Sequence, residues 1–208
     1  MTDTFTPYDS NDRGQVGIGV LIIFIAMVLV AAIAAGVVID TGGMLQAQAE
    51  ATGEESTELV SERLTANTAV GIVGDEANGD LTEIRVGVSA APGASEINLV
   101  DTVVQVTGPG GQENLVYASD PASPDGDEFV AMDLDMNPVG RDDAVLNNEN
   151  REYILVFDAE SEPFANEDGP MGESQDATLD IVSPSSAVTS VELSAPDLFQ
   201  KDGQGVRL

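Results

Sequence analysis

The stretch Asp12–Gly36, DRGQVGIGVLIIFIAMVLVAAIAAG, decides how the rest of the chain is read. A charged pair, Asp12-Arg13, stands directly before Gly14, and no further charge occurs until Asp40. Ile, Leu, Val, Phe and Ala dominate the interval, which exceeds the roughly 20 apolar residues that a membrane-crossing helix needs. The apolar part of an ordinary secretory signal runs only about 7–15 residues. No Ala-x-Ala site precedes a charged mature start, so the greasy segment is expected to stay on the mature protein.

Upstream, residues 1–13 (MTDTFTPYDSNDR) are polar, lack periodicity and read as disordered. The order of charged leader, Gly and apolar helix places a scissile bond at Gly14–Gln15. Arg13, Gly14 and Gln15 form the expected processing site, where Gly lets the backbone extend into a protease working at the membrane face. Cutting there removes Asp3, Asp9, Asp12 and Arg13; taking that -2 from the chain's -30 leaves -28.

Downstream, Thr41–Asn67 (TGGMLQAQAEATGEESTELVSERLTAN) is rich in the good helix formers Ala, Gln, Glu and Leu. Met44, Leu45, Leu59, Val60 and Leu64 give a sparse apolar stripe. The pattern predicts one helix from about Gln15 to about Thr65, apolar all round first and amphipathic later, with soft spots at Gly42-Gly43 and Gly53. At 1.5 Å per residue such a rod is about 75 Å long. One small domain has no means of burying it, so it must pack in a membrane or against copies of itself.

After Asn67 the texture changes. Runs rich in Val, Ile and Thr alternate with Gly, Pro, Asn and Asp. Strands are expected at Ala69–Val73, Leu81–Ser89, Thr102–Thr107, Glu113–Ala118, Glu128–Leu134, Glu152–Asp158, Ala177–Val182 and Thr189–Ser194, with Ser95–Leu99 a short helix or edge strand. Turn signals separate them: NGD at Asn78, APG at Ala91, GPGG at Gly108, SPDGD at Ser123 and NEDGP at Asn166. The fold class is α+β: a long N-terminal hydrophobic α-helix followed by an antiparallel β-sandwich or barrel of immunoglobulin-like kind. The expected divisions are a leader at 1–14, a helix at 15–66 and a β-domain at 67–208.

Composition narrows the function. There are 37 Asp and Glu against 7 Lys and Arg, and Lys201 is the single lysine. Such a charge repels itself in dilute buffer and is tolerated where concentrated salt screens it, as in an extreme halophile. No basic patch exists to neutralise phosphates, so nucleic acid is excluded as a partner. Cysteine and histidine are both absent. That removes disulfides, thiolate sites, the commonest general base and the commonest transition-metal ligand, so the chain is not read as an enzyme.

Ala31/Ala35 and Ala32/Gly36 recur at spacing four, a small-xxx-small pattern that lets helices approach closely. Ile18, Leu21, Ile22, Ile25, Met27, Leu29, Ala32, Ile33 and Gly36 are the expected packing residues of a helical assembly. Asp133-x-Asp135-x-Asn137 begins like a calcium loop, but Pro138 stands where an EF-hand has Gly and Ala144 where it has Glu. The EF-hand is rejected. Asp133, Asp135 and Asn137 stay as candidate oxygen ligands for a loosely held Ca²⁺ or Mg²⁺, as do the acids of 120–128 and 167–173; otherwise no cofactor is expected. The chain contains no Asn-x-Ser/Thr acceptor.

RGQVGIG, then LIIFIAMVLVAAIAAGVVI, then GMLQAQAEATGEES together resemble archaellin, the archaeal flagellin, most of all its haloarchaeal members. APGASEINLVDTVVQVTGPGG and SSAVTSVELSAPDLF resemble later parts of the same family. Val20 departs from the Thr usual there, keeping the β-branch and losing a hydroxyl. The resemblance implies cleavage by a prepilin-peptidase-like protease and transient membrane insertion. It also implies transfer by the archaellum assembly and motor complex into an extracellular filament of identical or paralogous subunits, the rotating swimming appendage. Two other readings stay open: an adhesion subunit of type IV pilin kind, and a surface β-sandwich binding protein that keeps its anchor in the bilayer. The absence of Trp and the presence of only three Tyr count against the last, since sugar stacking needs aromatic platforms.

Overall fold

The computed structural model describes residues 10–94, 96–122, 126–147, 150–167 and 169–208. The expected leader up to residue 9, Ser123–Asp125 of the SPDGD turn and Asp168 of NEDGP lie outside the described residues.

Helix α1 spans Ser10–Ser61. Its start lies upstream of the predicted Gln15, so Ser10–Arg13, expected to be disordered, join the helix. Ser, Asn and Asp are residue types favoured at helix starts, where free N–H groups and the positive end of the helix dipole lie. Its end falls short of the predicted Thr65. Leu64 does not continue the apolar stripe; it opens the first strand and is buried in the β-core. Pairing of Leu64 with Ala90 and Thr65 with Ser89 overrides a local preference for helix worth only tenths of a kcal/mol per residue. Thr41 and Thr52 each turn a hydroxyl back to the carbonyl four residues earlier, Val37 and Gln48, at 2.7 and 2.9 Å.

The strands are β1 Leu64–Asp75, β2 Asp80–Ala90, β3 Ile97–Asn98, β4 Val103–Gly108, β5 Gly111–Tyr117, β6 Glu128–Met132, β7 Val145–Leu146, β8 Glu152–Asp158, β9 Asp176–Val182, β10 Val188–Ser194 and β11 Gly205–Arg207. Of the region Ser95–Leu99, Ser95 lies outside the described residues; Ile97–Asn98 form β3 and a 3₁₀ turn follows at Leu99–Asp101. The short strands β7 and β11 have no counterpart among the expected ones. Two antiparallel blocks result, β11-β1-β2-β8-β6 and β5-β4-β9-β10. A parallel pairing of β5 with β6, Val116 with Glu128 and Tyr117 with Phe129, joins them. At the other end Thr189 on β10 donates its hydroxyl to the Leu64 carbonyl on β1 at 2.8 Å.

Burial alternates along the strands with the period of two that a pleated strand imposes. Ile84, Val86 and Val88 of β2, Leu155 and Phe157 of β8, Val104 and Val106 of β4, and Leu179 and Ile181 of β9 all fall in one apolar cluster. The two blocks therefore share a core, and the β-region is a sandwich. Phe129 lies at its centre, edge-on to Tyr117 at 5.5 Å and beside Phe157 at 5.9 Å. Two predicted turns show why they need glycine. Gly79 turns the β1–β2 hairpin at φ +73°, and a Cβ on Gly110 would stand 1.8 Å from the Ala165 carbonyl oxygen. The chain divides into two compact units, one ending at Glu54 and one comprising Glu55–Leu208.

Candidate functional site

Successive helix residues are rotated by about 100°, so four adjacent apolar residues cover every side. Ile22, Ile23, Phe24 and Ile25 do this in α1. The expected packing residues Ile18, Leu21, Ile22, Ile25, Met27, Leu29 and Ile33 are each 55–69% exposed, and Ala32 and Gly36 are exposed beside them. Val20, Ile23, Phe24 and Val28 are equally open, so the apolar surface is wider than the residues first singled out. The run Val20–Leu29 carried that signal, since it offers no polar face at all. Monomeric soluble proteins rarely expose apolar surface on this scale; it marks a surface meant for lipid or for other chains.

Gly14 lies within α1, between Arg13 and Gln15, so the expected scissile bond is helical here and must unwind to enter a protease. A Cβ on Gly14, Gly17, Gly19 or Gly36 would meet nothing within 4 Å. A helical glycine costs about 1 kcal/mol relative to alanine. Among the described residues no close contact requires a glycine at these four positions.

The acidic loop after β6 holds itself together. Asp133 Oδ1 accepts the Asp135 and Asn137 backbone N–H groups, each at 2.9 Å, and the Asn137 side-chain amide donates to Asp133 Oδ2 at 3.1 Å. These bonds hold the Asp133 carboxyl below the usual carboxylate range, the Asn137 backbone N–H contributing most. Both oxygens of Asp133 are thus engaged by donors of its own loop. Among the described residues no group of three or more acidic side chains is gathered as a metal site would need. The tyrosines are structural: Tyr117 donates to the Val139 carbonyl at 2.7 Å and Tyr153 to the Asp143 carbonyl at 3.0 Å. Burial pushes both phenols up. Arg141 donates to the Tyr117 and Ala118 carbonyls, both at 3.0 Å.

The pattern of the family described as archaeal-type flagellin matches residues 14–193. The chain belongs to the archaeal-type flagellins. Flagellin B1 of Natrialba magadii is 39% identical over 207 residues, covering 98% of this chain and 100% of that one. Flagellin A2 of Haloferax volcanii is 36% identical over 209 residues, covering 92% and 93% of the two chains. The solved archaeal flagellum of Methanospirillum hungatei superposes with a TM-score of 0.64 at 15% identity, over 92% of this chain and 99% of that one, which establishes a shared fold. As an archaeal flagellin the chain is a structural subunit of an extracellular motility filament, and the family is structural and not enzymatic. The haloarchaeal relatives accord with the salt requirement read from the charge.

Proposed function

We propose that this flagellin is cut between Gly14 and Gln15 by a membrane-embedded peptidase of prepilin-peptidase type. Helix α1 holds the mature subunit in the bilayer until the archaellum assembly and motor machinery transfers it to the filament. There Ile18, Leu21, Ile22, Ile25, Met27, Leu29 and Ile33 exchange lipid for the same residues of neighbouring subunits, while Ala32 and Gly36 set how closely helices approach. In lipid no hydrophobic force favours helix association, so packing quality decides the transfer. The observation that carries this reading is the exposure of α1 on every side from Gly14 to Ile39, with no charge in the interval. That length is about 39 Å, enough for the ~30 Å hydrocarbon core with some tilt. The start of the family match at Gly14 supports the cut.

We further read the chain as non-catalytic and without a resident metal. Neither His nor Cys is present, and the best-placed carboxylate, Asp133, is engaged by its own loop. Mass spectrometry of subunits from sheared filaments tests the processing step. The expected N-terminus is Gln15, and Gly14→Val leaves uncut precursor and no filament. Filaments built of chains that begin at Met1 refute the cut.

A further inference from the structure

The strand faces turned away from the β-core are expected to be polar, and most are. The exception is the outer face of β8 and β6, beside β2. Val156 and Val130 pair across β8 and β6, and Ile154 and Met132 pair beside them. All four alternate with the core residues Leu155, Phe157, Phe129 and Ala131 and so lie on the other face of the strands, where Val130 and Val156 are nearly covered and Ile154 and Met132 half-buried. Val130, Val156, Met132 and Pro138 line an open groove of about 460 Å³. Its rim carries three carboxylates, Glu83, Glu128 and Asp158, of which Glu83 is bound by Arg85. An apolar floor with a net negative rim fits an apolar knob that carries a cation.

The chain has such a knob. Leu198 is 70% exposed, the most exposed large apolar side chain of the β-sandwich among the described residues. It stands on a fixed corner: Phe199 is buried and donates its backbone N–H to Glu173, and Asp197 accepts the Ser174 hydroxyl at 2.9 Å. Lys201, the sole lysine of a chain with 37 acids, follows on the same corner and is exposed. A pre-ordered corner loses little entropy on docking.

We propose that the corner Leu198–Lys201 of one subunit seats in the β2-β8-β6 groove of a second copy. Leu198 packs on Met132 and Pro138, above Val130 and Val156, and Lys201 meets the acidic rim. Where a subunit gives its knob to one neighbour and its groove to another, the contact is head-to-tail and propagates. This rests on the filament role and adds to the helix core a contact between β-domains.

A carbodiimide joins a lysine to a carboxylate only when the two touch, and unmodified filaments serve as the sample. The expected product is an amide between Lys201 of one subunit and Glu83, Glu128 or Asp158 of another, seen as a ladder on denaturing gels and located by mass spectrometry. Lys201→Glu raises the salt concentration at which filaments fall apart, and Lys201→Arg restores it. Leu198→Asp gives filaments that shed subunits while the β-domain melts as before. Filaments in which Lys201 couples only to acids elsewhere, or to none, overturn the groove contact and leave the helix core standing. Failure of the unmodified protein to yield filaments strikes the filament role itself.

Discussion

Helix α1 and the β-sandwich divide the physical work between them. In the sandwich Phe129, Phe157, Leu155 and Ile84 are almost fully buried, and side-chain polar atoms find partners; no buried one among the described residues is left without a hydrogen bond. In the helix the large apolar residues from Val16 to Ile39 are all at least half exposed. The same residue types thus complete a fold in one region and await a partner in the other. The difference teaches where each region's stability comes from: the sandwich draws on its own sequence, and in the proposed role the helix draws on lipid and then on sister chains.

The comparison breaks first at the helix. Ile25→Asp places a charge mid-span, costing about 2.5–3.5 kcal/mol for insertion, and filaments should not form. The β-domain should keep its unchanged melting temperature by near-ultraviolet circular dichroism. A lowered melting temperature would show that the sandwich leans on the helix. Phe157→Ala runs the opposite way. Loss of a fully buried ring costs about 3–5 kcal/mol, so chemical denaturation of the β-domain should shift to lower denaturant while membrane insertion of the precursor persists.

Gly36→Ala sharpens the contrast. In the single chain the new methyl meets nothing and strengthens the helix by about 1 kcal/mol. Filament yield should nevertheless fall if a neighbouring helix approaches there, so subunit helicity and filament yield are expected to move in opposite directions. Equal or greater yield would remove Gly36 from the interface. The smallest effect is local. The Asp133 carboxyl is held below its ordinary value by the loop N–H groups, so its stabilisation is present above the unfolded carboxylate pKa and lost as pH falls through the folded one. Asp133→Asn should loosen the loop at neutral pH, seen as faster amide exchange at Asp135 and Asn137, and the difference from the unmodified chain should vanish in acid.

Much of this was legible in the sequence for identifiable reasons. The uncharged run from Gly14 to Ile39 has only one physical reading as a helix too apolar for water. Eight strands announced themselves by β-branched residues between turn signals, and each overlaps an observed strand, although β1 starts at Leu64 and not at Ala69. The helix end was misplaced because Leu64 and Ala66 look like continuing helix until β2 is present to pair with them. Strands β7 and β11 are two and three residues long and carry no pattern; their partners β3 and β1 create them. The Asp133 loop resembled cation chemistry by residue type, and only the backbone geometry shows its oxygens turned toward N–H donors. The groove was hidden because its floor is assembled from β6, β8 and the loop carrying Pro138, and Val130 and Val156 in sequence are indistinguishable from core residues.

The central claim, that α1 finds its lasting shelter among other copies of itself, is tested most directly by cryo-microscopy of the native filament. The account predicts residues 15–39 of many subunits packed side by side along the axis, with Ala32 and Gly36 at the closest helix–helix approaches and β-sandwiches outside. Helices lying on the filament surface, or separated from one another by lipid or solvent, would contradict it.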